Sequence, residues 1–272
     1  MYEIRHAYDS LQIAEEKPGE LSLEARLKAI NRPLLDWYRS HARVLPWRED
    51  PKPYHVWISE IMLQQTRVEA VKPYFERFLE ALPDISDLAA VEDDRLMKLW
   101  EGLGYYNRAR NLKKAAQVIV HEYEGRMPSE YEELLKLPGI GSYTAGAIAS
   151  IAFGNPVPAV DGNVLRVISR VTASRRDILK ASTKKWMEDR LRETMPRSNA
   201  SDFNQGLIEI GAIVCVPNGQ PKVPPCICMS FQAAGALAGN SRKNTSEKAQ
   251  NRRENRVHFR VRTSGGAEKK GG

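Results

Sequence analysis

Apolar residues between Leu21 and Arg43 fall at Leu23, Leu27, Ile30, Leu34, Leu35, Trp37 and Tyr38, the three-and-four spacing of a helix. The proline-broken stretch Leu45-Pro-Trp-Arg-Glu-Asp-Pro-Lys-Pro53 reads as a turn. Tyr54–Val68 then reads as a helix whose apolar surface comes from Val56, Ile58, Ile61, Met62, Leu63 and Val68. Further helices are expected over Val71–Leu82, Ile85–Leu99 and Asn111–Tyr123, with Pro83-Asp84 and Gly125-Arg-Met-Pro128 as stops. Another ends at Leu137, an Ala-rich helix begins near Ser142, and a last one covers Val164–Val171. No run alternates apolar and β-branched residues strongly enough to demand a sheet, so the expected fold class is all-α.

Glu60 breaks the apolar surface of the Tyr54–Val68 helix. A carboxyl among apolar neighbours holds its proton toward neutrality, as a general acid must. Gln64, Gln65 and Thr66, one turn later, offer two amides and a hydroxyl suited to base edges. The alternative is an exposed Glu on an amphipathic helix.

Bulk charge adds less than it first suggests. The chain carries a formal +7. Residues 241–272 hold ten Lys+Arg and three Asp+Glu, and taking those from totals of 41 and 34 leaves 31 of each in the other 240 residues. The excess is in the tail, so nucleic-acid binding by the body rests on local geometry. No run reaches membrane-span length and no apolar leader precedes Glu15-Glu-Lys17. The three cysteines, Cys215, Cys226 and Cys228, cluster near one end and suit metal binding in a reducing compartment better than disulfides. A soluble intracellular protein is expected, cytoplasmic, and nucleoid-associated if bacterial.

Several stretches carry candidate chemistry. Trp47 and Arg48 are either a stacking face and a cation for a ligand, or a loop packed on the core. In Trp100-Glu-Gly-Leu-Gly-Tyr-Tyr-Asn-Arg108 the glycines allow close backbone approach and the tyrosines can wedge between bases; a helix corner with core aromatics is the alternative. Pro138-Gly-Ile-Gly141 has the pattern of a helix-hairpin-helix. Gly139 and Gly141 there leave backbone N–H groups free for a phosphate, unless the corner binds nothing. Asp161-Gly-Asn163 is an N-cap signal: Asp161 is either a structural cap alone or, from its place shortly after the hairpin, also a carboxylate facing a developing cation.

Ser-Glu-Ile-Met-Leu-Gln-Gln-Thr, Gly-Leu-Gly-Tyr-Tyr, Leu-Pro-Gly-Ile-Gly-Ser-Tyr-Thr-Ala-Gly-Ala and Val-Asp-Gly-Asn-Val occur in that order. Together they resemble the catalytic region of MutY-type adenine DNA glycosylases, in the helix-hairpin-helix glycosylase superfamily, over about Leu21 to Lys222. The resemblance implies a two-lobed fold with the active site in the interlobe cleft. It implies a monomer that hydrolyses adenine from double-stranded DNA where it is mispaired with 8-oxoguanine or guanine, after base flipping. Glu60 would protonate the purine, Asp161 would stabilise the oxocarbenium-like sugar, and Tyr143 and Asn163 would support the pair. Trp47, Arg48 and Gln205 match the adenine pocket, and Gln65 and Tyr105 match residues inserted at the lesion. A lysine nucleophile of the endonuclease III-like branch is replaced by Tyr143, which implies monofunctional hydrolysis. The rivals are an inactive DNA-binding remnant and an endonuclease III-like enzyme of other specificity.

The resemblance also implies a [4Fe–4S] cluster on four cysteines spaced close to C-x6-7-C-x2-C-x5-C. Cys215 is the first and Cys226 falls at the third position. Val223 stands at the second, about Gln232 at the fourth, and Cys228 is off the pattern, so the site is incomplete. With codons chosen to suit, the tail can be read one base later as a run Lys-Lys-Arg-Arg-Ile-Glu-Glu-Lys-Thr-Val-Phe that resembles the family's linker to a Nudix-like domain, and the same shift can turn Lys222-Val223 into Lys-Cys. A frameshift near Lys222 competes with a native clusterless enzyme. The expected organisation is a loose leader at 1–20, a helical lobe from 21–51 plus 153–222, and a six-helix barrel lobe with the hairpin at 52–152. A degenerate cluster loop and disordered basic tail are expected at 223–272.

Overall fold

The computed structural model describes residues 22–217, which are helical with no strand among them. The expectations for the leader, Cys226, Cys228 and the tail lie outside the described residues. The first expected helix is two, α1 (Leu23–Ala29) and α2 (Asn31–His41). Pro33 cannot donate to the carbonyl of Ala29 and its ring crowds it, so the chain restarts at Ile30. Ser22 caps α1 through its hydroxyl, which accepts from the Ala25 N–H at 3.2 Å.

The short α3 (Pro46–Glu49) and α4 (Pro53–Leu63) both open on a proline, where a missing N–H costs nothing. The helix expected through Val68 stops at Leu63, and Gln65 turns the chain with φ +59° before α5 (Val68–Ala81). Ile85–Leu99 also divides, into α6 (Ile85–Ala90) and α7 (Asp93–Trp100). Asp84 caps the first with its carboxylate, and Asp93 and Asp94 favour a new N-terminus after the extended Val91 and Glu92. α8 begins earlier than its periodicity indicates, at Asn107, and runs to Glu122. α9 (Tyr131–Leu134) continues as turns to Leu137.

Past the hairpin come α10 (Ser142–Ala147), a π-helical turn over Ile148–Ala152, and an extended segment that enters α11 (Gly162–Val171). The chain then forms α12 (Ala181–Thr194) and α13 (Ala200–Ile213).

Buried apolar residues fall into two clusters. One runs from Leu45 to Val157 and holds Trp57, Phe78 and Trp100; the other joins Leu27, Ile30 and Leu34 to the stretch Val160–Cys215. Of the eight residues that α4 buries, six are apolar, Tyr54, Val56, Trp57, Ile58, Ile61 and Met62, and the other two are Ser59 and Glu60. A helix apolar around its whole circumference sits inside the fold, so Glu60 is carried into the interior by its neighbours. The amphipathic alternative for Glu60 is thereby excluded.

Candidate active site

Glu60 is buried on α4, only 8 % exposed. Burial raises its carboxyl to about 7. The Tyr143 hydroxyl, by donating a hydrogen bond, works against that rise, whereas the Asp161 charge adds to it and Arg48 opposes it. The Tyr143 phenol is pushed well up, first by burial and then by the charges of Glu60 and Asp161. Near neutrality the carboxyl therefore exchanges a proton readily, while the phenol keeps its own.

Asp161 is the N-cap of α11. One carboxylate oxygen accepts from the Val164 N–H at 2.9 Å, the other from Asn163 Nδ2 at 2.7 Å. Capping leaves the Asp161 carboxylate on the pocket wall. Asn163 Oδ1 accepts from Arg166 Nη2 at 2.8 Å, and Arg166 in turn donates to the carbonyls of Cys215 and Gly211, each at 2.5 Å. The orientation of Asp161 thus depends on α13 as well as on its own helix.

The extended approach to Asp161 is fixed by Asn204 on α13. Its Oδ1 accepts from the Ala159 N–H at 2.9 Å and its Nδ2 donates to the Val157 carbonyl at 2.8 Å. A buried side-chain amide here does the work of a neighbouring strand.

Glu209, also on α13, has a side chain with no exposed surface. It accepts from Arg43 Nε at 2.7 Å, Arg43 Nη2 at 2.8 Å and Arg48 Nη2 at 3.0 Å. Burial would raise its carboxyl, yet the hydrogen bonds from Arg43 and Arg48 outweigh burial and hold it at about 2. Arg48 also donates to the Arg43 carbonyl and lies over the Tyr38 ring, 5.5 Å from its centre. Trp47 meets Phe75 edge to face at 5.4 Å. Packing and pocket lining are not exclusive for either residue.

These groups converge on one pocket of about 580 Å³, in the size range of small-molecule sites. It gathers Trp47, Arg48, Glu60, Gln64, Gln65, Thr66, Tyr143, Asp161, Asn163 and Gln205, ten of the residues singled out from the sequence. Tyr105 stands outside it, 62 % exposed. Gly139 lines a separate small cavity, and Gly141 is the N-cap of α10. Sequence reasoning passed over Arg43, Arg166, Asn204 and Glu209. Asn204 and Glu209 flank Gln205 within one run, and a polar pair at that spacing in an otherwise apolar helix was the available signal.

Among the described residues, no His, Cys, Asp and Glu cluster suits a metal ion, and no helix is long and apolar enough to cross a membrane. Cys215 is buried, with Arg170 Nη1 2.8 Å from its sulfur.

Residues 58–196 match the family described as HhH-GPD superfamily base excision DNA repair protein. Adenine DNA glycosylase of Rattus norvegicus is 40% identical over 227 residues, 80% of this chain and 44% of the relative. The chain therefore spans less than half the length of that relative. Among solved structures, a thermostable thymine-DNA glycosylase superposes with a TM-score of 0.68 at 29% identity, covering 76% of this chain and 94% of its own. A trapped endonuclease III–DNA covalent intermediate gives a TM-score of 0.60 at 29% identity, over 73% and 92%.

Proposed function

This chain belongs to the HhH-GPD superfamily of base excision DNA repair proteins, and we propose that it hydrolyses the N-glycosidic bond of adenine mispaired with 8-oxoguanine or guanine in double-stranded DNA. The observation that carries the reading is Glu60, buried with its carboxyl raised to about 7 and sharing a pocket with Asp161. The kinship to adenine DNA glycosylases supports the choice of base.

In this reading the flipped adenine enters the pocket between Trp47, Arg48 and Gln205, and Glu60 donates its proton to a purine ring nitrogen. The C1′–N9 bond then breaks with its electron pair passing to the base. Positive charge grows on the sugar, and Asp161 faces it as a fixed carboxylate. Tyr143 orients Glu60, and Asn163 holds Asp161. A water adds to the sugar carbon and returns a proton to the Glu60 carboxylate, which restores the acid. A tyrosine cannot form the imine that a lysine at position 143 would, so hydrolysis without strand scission is expected.

The reading puts duplex DNA in a cleft between two lobes, one built on each apolar cluster, with the hairpin at 138–141 on a phosphate. Gln65 and Tyr105 enter the helix at the lesion. The cluster of the family does not fit the residues present, because four thiolates are needed and the chain has three cysteines. No step above involves it.

Duplexes with A:8-oxoG, A:G or A:T test the proposal. Alkali-labile product from the first two, none from A:T and no borohydride-trapped adduct are expected. Binding without product assigns the chain to DNA-binding modules, and a trapped adduct assigns it to the endonuclease III-like branch.

A further inference from the structure

Arg108, on the first turn of α8, is the one guanidinium among the described residues that bridges two turns carrying residues with left-handed backbone. Its Nη1 donates to the carbonyls of Ile61 at 2.8 Å, Met62 at 3.0 Å and Gln64 at 2.8 Å, the end of α4. Its Nη2 donates to the carbonyls of Leu103 at 3.0 Å and Gly104 at 3.2 Å, and reaches Thr66 Oγ1 at 3.4 Å. The planar group lies 5.4 Å from the centre of the Trp100 ring and 5.5 Å from that of Tyr105.

The two turns hold Gln65 at φ +59° and Tyr105 at φ +49°. Left-handed backbone is strained for a non-glycine residue and persists where the surroundings over-determine it. Arg108 is what both turns share. A cation at the last carbonyls of α4 also meets the negative end of that helix. A third element, the hairpin, borders the same residue: the unpartnered, buried Arg108 Nε and Trp57 Nε1 belong to side chains that line a cavity of about 40 Å³ together with Pro138 and Gly139. Asn111, one turn along, lies so close under Gly139 that a Cβ there would come within 2.7 Å of the Asn111 Cβ.

We infer that Arg108 is a positioning residue that holds the Gln65 turn and the Tyr105 loop at a fixed separation, so that both enter the duplex as one unit. The inference rests on the adenine-glycosylase reading for what the two residues touch. Arg108 reaches the pocket wall only at the Gln64 carbonyl and the Thr66 hydroxyl and has no hydrogen bond to Glu60, Tyr143, Asp161 or Asn163, so it governs recognition of the lesion and leaves bond cleavage alone. Lysine keeps the charge but presents its three donors from one atom, and cannot serve both turns with a flat fork.

The test compares wild type, Arg108→Lys, Tyr105→Ala and the double variant. For Arg108→Lys, affinity for an A:8-oxoG duplex is expected to fall about tenfold, with matched-duplex affinity and the saturating single-turnover rate within about twofold. Tyr105→Ala is expected to cost a similar factor alone and less than about twofold on top of Arg108→Lys, the non-additivity of residues acting together. Gly104→Ala, which keeps Arg108 but strains the loop at φ +72°, gives the same signature should Arg108→Lys fail to fold. Multiplying losses, or an equal fall in matched-duplex binding and maximal rate, overturn the inference. Wild type that releases no adenine sinks the functional reading instead. Hydrogen exchange then decides the positioning claim: 64–66 and 103–105 quickening together in Arg108→Lys supports it, and one segment or neither moving contradicts it.

Discussion

A Cβ added to Gly211 would come within 2.5 Å of the Asn163 Cβ and 3.0 Å of its backbone. Helix α13 thus touches the start of α11 through a residue with no side chain, one turn from the carboxylate of Asp161. Glycine is required there by proximity, since its φ lies outside the left-handed region.

Gly211→Ala is expected to push Asn163 and its hydrogen bond to Asp161 out of place. Overpacking of this kind costs about 1–3 kcal/mol. Urea denaturation reads that loss, and a single-turnover rate reduced by about tenfold or more reads the displaced carboxylate. A variant with wild-type rate shows that Asp161 does not depend on this contact.

Glu209 provides a second prediction, with the sign set by its depressed carboxyl. The unfolded chain titrates near 4.5 and the folded protein near 2, so the stabilisation is present above 4.5 and is lost as pH falls toward 2. Glu209→Gln is expected to destabilise by about 3 kcal/mol at pH 7, leaving Arg43 and Arg48 without their counter-charge. The gap between variant and wild type narrows at pH 3; a gap that stays constant contradicts the ion-pair origin.

The four local motifs were legible because their signals act over a few residues. A cap such as Asp161, a glycine hairpin and a carboxyl in an apolar helix are each written in one short stretch. The breaks at Ile30 and at Val91–Glu92 were less so, since helical spacing continues across both while Pro33 and the acidic pair Asp93-Asp94 restart the backbone. Least legible were the groups that hold the site together. Glu209 meets Arg43 across 166 positions, and Asn204 meets Ala159 across 45. No spacing rule reaches that far, and their partners emerge only when α13 packs against α2 and α11.

Asn204→Ala follows from the same long-range bonding. It leaves the Ala159 N–H and the Val157 carbonyl buried without a partner, a loss of about 2–6 kcal/mol at about 1–3 for each group. Denaturation should show it, with a slower single-turnover rate because the segment leading to Asp161 loosens. Asn204→Asp replaces the donor but keeps the acceptor, and is expected to recover the Ala159 bond alone.

The raised carboxyl of Glu60 makes its own stability prediction. Below 4.5 folded and unfolded chains both hold the proton. From 4.5 to about 7 only the folded one does, so rising pH costs stability, on the order of 3 kcal/mol once both have ionised. Glu60→Gln removes that penalty. Its stability relative to wild type should increase between pH 5 and pH 8; a difference independent of pH means the carboxyl is not raised by burial.

The central claim is that Glu60 delivers a proton from inside the pocket, and a single-turnover pH profile on an A:8-oxoG duplex measures it most directly. Between pH 6 and 9 the rate should hold nearly constant up to about 7, then fall about tenfold per pH unit as the carboxyl loses its proton. Glu60→Gln should bind the duplex and release no adenine. A rate that does not change across that range, or product from Glu60→Gln at the wild-type rate, would contradict the account.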